Sequence, residues 1–191
     1  MGTDNVIRKT CRRFNDPGHA HELTFSCFKR RPFLLAERTR NYLAEAILRA
    51  KAKRQFHLWA YVVMPEHVHL MIWPTQENYS ISDILLSVKQ PVARRALIYL
   101  RKNRPDGLRA LATGQKHTPY RFWQDGGGYD RNITLCSTLV EAIDYIHGNP
   151  VRRGFVEDAQ EWDWSSARDW SGEGQGPIPL EFESLPFFSP R

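Results

Sequence analysis

The run Tyr61-Val-Val-Met-Pro-Glu-His-Val-His-Leu-Met-Ile-Trp73 restricts the fold more than any other part of the chain. It overlaps Phe56-His-Leu-Trp-Ala-Tyr-Val-Val63, so two apolar, β-compatible stretches are separated only by Met64, Pro65 and Glu66. So short a connection joins two strands as an antiparallel hairpin. On a strand, His67 and His69 point to one face while Val68, Leu70 and Ile72 point to the other; on a helix, positions i and i+2 diverge. Two neighbouring imidazoles on one face chelate a divalent metal once a third ligand arrives from elsewhere. The tripeptide alone fits an ordinary hydrogen-bonded pair at a half-buried surface better.

The remaining elements follow from periodicity. Glu22 to Lys29 reads as a first strand, with Leu23, Phe25 and Cys27 on one face. Leu34 to Arg54 has helical spacing through Leu43, Ala46, Ile47 and Ala50. Ile81 to Arg101 is a second helix in which Pro91 predicts a kink or break. Tyr120 to Gln124 reads as a short strand after a loop over 105–118. Thr134 to Gly148 is a third helix, with Leu135, Leu139, Ala142, Ile143 and Ile146 as its apolar stripe and Gly148 and Pro150 as its stop. This order predicts an α+β fold, a ferredoxin-like or RRM-like sandwich with a mainly antiparallel sheet and helices on one face. Residues 1–170 form one domain on this reading. Residues 171–191, rich in Gly, Pro and Ser, form an extended tail that can be removed without loss of the fold.

Charge is unevenly placed. Residues 155–191 hold eight acidic and two basic side chains, a net −6, so residues 1–154 carry +12 of a chain total of +6. Basic clusters at Arg12-Arg13, Lys29-Arg30-Arg31, Lys51 to Arg54, Arg101 to Arg104 and Arg152-Arg153 are the footprint expected of a nucleic-acid binder, or else a solvated basic surface. No apolar stretch reaches the ~18 residues of a membrane span, and the first residues lack a signal peptide's apolar core. Three cysteines, Cys11, Cys27 and Cys136, with no Cys-x-x-Cys, fit a reducing cytoplasm rather than a disulfide framework.

The third helix carries Tyr145 and, four residues on, Asn149, on the same side. A tyrosine hydroxyl can attack phosphorus if a metal polarises the phosphate, and Asn149 can offer a neutral oxygen as third ligand. The residues alone favour a blander assignment: a ring packed at the helix–sheet junction and a helix C-cap before Pro150.

Val63-Met-Pro-Glu-His-Val-His-Leu70, Phe122-Trp-Gln124, Tyr145-Ile-His-Gly-Asn-Pro-Val-Arg-Arg-Gly-Phe-Val156 and Asp163-Trp-Ser-Ser166 together resemble the single-tyrosine HUH transposases, especially the REP-associated tyrosine transposases, over about residues 20–170. The resemblance implies metal-dependent cleavage and joining of single-stranded DNA beside small hairpins. It makes Tyr145 the nucleophile and His67, His69 and Asn149 the holders of Mg²⁺ or Mn²⁺. Glu66 stands where many members have Asn; as the neighbour of His67 on a strand it is expected to face away and not to ligate. Arg12, Arg13, Lys29, Arg30, Arg31, Arg152 and Arg153 are the expected DNA contacts. Trp59, Trp73, Phe122 and Trp123 are candidates to stack unpaired bases, or else core aromatics. Single-stranded or hairpin DNA is the expected partner, with either a homodimer or a monomer open. The rival readings are a non-catalytic hairpin DNA- or RNA-binding protein of the same fold and a metallohydrolase using His-x-His.

Overall fold

In the computed structural model, residues 14–126 and 128–186 are described. Four strands, β1 (Ala20–Ser26), β2 (Phe56–Val63), β3 (His67–Pro74) and β4 (Tyr129–Ile133), form one antiparallel sheet in the order β2-β3-β1-β4. The hairpin of β2 and β3 is as expected, and β3 lies inside the sheet, pairing with β1 on its other side. Helices α1 (Glu37–Arg54) and α2 (Ile81–Asn103) cover one face, where Leu23, Phe25, Leu58, Tyr61, Val68, Leu70 and Ile72 meet Leu43, Ile47, Ile84 and Val88. The α+β antiparallel architecture holds.

The helices are not all on that face. Helix α3 (Cys136–His147) packs Leu139, Ala142, Ile143 and Ile146 on Ala60, Val62, Met71 and Ile133, which point to the other side. Strand alternation explains it, since residues left over by the first face need a cover of their own. A register shift between Leu58 and Ala60 makes a bulge, so that Trp59 and Ala60 both belong to the α3 side.

Other differences have local causes. Leu34 stays outside α1 because its N–H donates to the Pro65 carbonyl in the β2–β3 turn. Helix α2 continues through Pro91, held on both sides by buried Val88 and Val92. The expected strand at 120–124 makes only isolated bridges, while Phe122 and Trp123 fill the core under α2. The fourth strand is the more polar Tyr129–Ile133. Gly128 lets it begin: its φ is +72°, and a Cβ there would lie 2.0 Å from the Thr24 carbonyl oxygen.

The chain after α3 closes the outer edge of β2. Val63 N–H donates to the Trp164 carbonyl, Ser166 N–H to that of Tyr61, and Glu181 N–H to that of Leu58. The Glu181 carboxylate accepts from Leu58 N–H and pairs with Lys51. Ile178 and Leu185 are buried, so the chain packs against the sheet at these points of the segment expected to extend away from it.

Candidate active site

On the α3 side of the sheet, at the end of β3, His67 and His69 stand edge to face with ring centroids 4.9 Å apart. Both are buried. Thr24, opposite His69 in the β1–β3 register, places its hydroxyl 2.8 Å from His69 Nδ1. This fixes the ring and turns Nε2 toward the helices. His67 Nδ1 lies 3.1 Å from Glu66 Oε1, so its Nε2 is the nitrogen left for a ligand.

Helix α3 bends at Gly148 into a single turn, α4 (Asn149–Arg152), beginning with the Asn-Pro pair. That bend buries Asn149 with its amide 3.1 Å from His69 Nε2. Turning the amide end for end brings Oδ1 to the same place, an exchange that leaves the side chain's shape unchanged. One turn earlier Tyr145 is half exposed, its ring centroid 6.0 Å from that of His69. The Arg152 guanidinium lies 4.1 Å over the tyrosine ring and donates to the Tyr145 carbonyl. Tyr145, Asn149 and both histidines therefore converge within one chain.

Glu66 departs from expectation. β3 begins only at His67, so strand alternation does not extend to Glu66. Its buried carboxylate accepts from His67 Nδ1–H and pairs with Arg153 Nη1 at 3.0 Å. It thus joins the strand half of the site to the helix half.

Burial lowers the pKa of both histidines. His69 is pushed down to about 3, with the neighbouring His67 and the positive Arg152 and Arg30 adding to the loss of solvation. For His67 burial outweighs the opposing pull of Glu66. Both rings are consequently neutral near pH 7, the form that ligates metals. Among the described residues no three His, Cys, Asp or Glu side chains form a metal cluster. The donor set that fits a divalent cation is two neutral imidazoles and the Asn149 amide oxygen, with Glu66 holding His67 from behind.

These groups line a cleft of about 560 Å³, rimmed by Arg30, Arg152 and Arg153. Arg31 points elsewhere and donates to the Ala110 carbonyl, and Lys29 is not part of the cleft. Arg12 and Arg13 lie outside the described residues. Arg131 on β4 also lines the cleft, and the polar run Tyr129–Ile133 that carries it has no strand pattern in the sequence. Of the stacking candidates, Trp59, Phe122 and Trp123 are core residues. Trp73 is partly buried in a ladder between His57 and Trp59, with centroids 5.7 Å apart on each side.

Comparison with known proteins points the same way as this geometry. The family model described as IS200-like transposase matches residues 19–129, the stretch that contains the histidine pair. The chain belongs to that family. The REP-associated tyrosine transposase of Escherichia coli (strain K12) is 28% identical over 168 residues, 87% of each chain. A solved REP-associated tyrosine transposase bound to a REP hairpin shares the fold, with a TM-score of 0.67 and 24% identity over 91% of this chain and 92% of that one. No helix among the described residues is long and apolar enough to cross a membrane.

Proposed function

We propose that this protein cleaves and rejoins single-stranded DNA at hairpin-forming, REP-like sequences through a covalent bond to Tyr145. The observation that carries the reading is the approach of the Tyr145 ring to His69, whose free nitrogen meets Asn149. His67, His69 and Asn149 would hold Mg²⁺ or Mn²⁺, which when bound supplies Lewis-acid polarisation of the scissile phosphate. Arg30, Arg152 and Arg153 bind the phosphate backbone and offset its charge. The Tyr145 oxygen attacks phosphorus, giving up its proton to solvent. A tyrosine–phosphorus bond forms as the bond to the 3′ oxygen breaks, and that oxygen takes a proton to become a 3′-OH. One phosphoester replaces another, so a different 3′-OH can reverse the step with no external energy source. Hairpin recognition is taken from the solved relative named for its REP hairpin.

The test is incubation of full-length protein and Mn²⁺ with labelled hairpin DNA from the flanks of its own gene, followed by a denaturing gel. Wild type should give a covalent adduct, and Tyr145→Phe should bind the hairpin without cutting it. Cleavage by Tyr145→Phe at the wild-type rate would refute the nucleophile, and binding with no cleavage by wild type would define a non-catalytic hairpin binder. Peptide mapping of the adduct also distinguishes Tyr145 from Tyr129, which lines the same cleft.

A further inference from the structure

The cleft that holds the histidines continues over β1 and β4, and there its chemistry changes. Glu22 and Arg131 stand directly opposite each other in the β1–β4 register. Arg131 Nε and Nη2 lie 2.9 and 2.7 Å from the same carboxylate oxygen, Oε2. The Glu22 side chain is 5% exposed, both of these contacts fall on Oε2, and Glu22 lines the cleft. Two positions back on β4, on the same face, is the half-exposed ring of Tyr129. Thr24, which orients His69, lies between this group and the histidines.

The Glu22–Arg131 pair sets an acceptor beside a donor on the cleft floor, a pattern that suits the edge of a base better than a phosphate. The strand repeat puts Glu22 about 7 Å beyond Thr24, within reach of a base whose phosphate sits at the histidine pair. An aromatic ring for stacking, an acceptor-only carboxylate and a guanidinium beside it are the three elements that read a nucleobase.

We infer that Glu22, Arg131 and Tyr129 form a base-reading subsite next to the scissile phosphate, and that the base it takes is guanine. This deepens the DNA-cleavage reading and rests on it for the position of the phosphate. Guanine alone presents two adjacent donors, N2–H and N1–H, followed by two acceptors, O6 and N7. The donors meet the Glu22 carboxylate and the acceptors meet Arg131, while the base plane stacks on Tyr129. Thymine has a single donor between two acceptors, and adenine and cytosine each offer one amino group. A base lacking the paired donors forfeits its hydrogen bonds to Glu22, which is the source of the discrimination.

The test uses full-length protein in EDTA and four fluorescein-labelled trinucleotides, d(TGT), d(TAT), d(TCT) and d(TTT), titrated by fluorescence anisotropy. Wild type should bind d(TGT) about tenfold more tightly than d(TTT). Glu22→Gln should remove that preference and leave d(TTT) affinity within roughly twofold. If Glu22→Gln does not melt cooperatively, Arg131→Gln, on the edge strand, should show the same loss of preference. Equal binding of the four by wild type, no measurable binding of any, or a guanine preference that survives both variants would overturn the inference and leave a cross-strand ion pair. Because binding is read without metal or cleavage, failure of the subsite and failure of the Tyr145 chemistry give separate results.

Discussion

Replacing Ile178 by alanine tests whether the C-terminal segment is part of the folded unit. Ile178 is 0% exposed and packs in the same cluster as Leu58, Tyr61 and Val63. Its N–H donates to the Tyr61 hydroxyl at 3.1 Å, and Gly176 approaches so closely that a Cβ there would meet that hydroxyl at 2.2 Å. Truncating a buried isoleucine costs about 2–5 kcal/mol, depending on how far the surroundings collapse. Here one wall of the site is an irregular terminal segment able to settle inward, which favours the lower part of that range, about 2–3 kcal/mol. In a domain of this size each kcal/mol moves the midpoint by about 2–4 °C, so Ile178→Ala should melt about 4–12 °C below wild type. The assay is thermal unfolding followed by circular dichroism, with Glu173→Ala as control, since Glu173 is exposed in the same segment. A Tm for Ile178→Ala within 1 °C of the control, on the order of a few tenths of a kcal/mol, would refute the packing argument.

Acid should weaken the metal-free protein. His147, buried against Ser166 and Trp170, is pushed down to about 4, and His69 to about 3. Below the unfolded value of about 6.5 the unfolded chain takes up these protons first, so stability falls as pH drops through 6.5 toward 4 and then 3. At pH 5 each histidine should have cost on the order of 2 kcal/mol, and a urea midpoint unchanged between pH 7 and pH 5 would contradict this. Glu66→Gln keeps the shape of the side chain but weakens its hold on His67 and Arg153. It should loosen Mn²⁺ binding about 10–100-fold in calorimetry; an unchanged Mn²⁺ affinity would remove Glu66 from the site.

What the sequence disclosed was short-range. Alternation in Tyr61 to Trp73 is enough to place two imidazoles on one strand face, and a four-residue spacing is enough to put Tyr145 and Asn149 on one side of a helix. What it concealed depends on distant partners. Tyr120 to Gln124 has the aromatic composition of a strand, but its rings are needed in the core beneath α2. Tyr129–Ile133 has the composition of a loop and pairs because Gly128 admits it and because Asp130 and Arg131 find His21 and Glu22 on β1. Glu66 lies one residue before β3, where strand alternation does not set the direction of its side chain. Gly, Pro and acidic residues around Ile178 and Leu185 masked two side chains whose burial depends on the edge of β2.

The sheet is left with two unlike margins. Along β2 the backbone groups are occupied by residues 164–181, whereas among the described residues no backbone hydrogen bond joins a segment to the outer side of β4. Among the described residues, the margin not bonded by another segment's backbone is the one that adjoins the cleft. A strand added there would lie about 4.8 Å from β4, against the flank that bears Tyr129 and Arg131. Nucleic acid in the cleft and a polypeptide strand beside β4 would compete for the same space. Nucleic acid that filled this flank would therefore also cover a strand margin, the kind of surface through which copies of a chain associate.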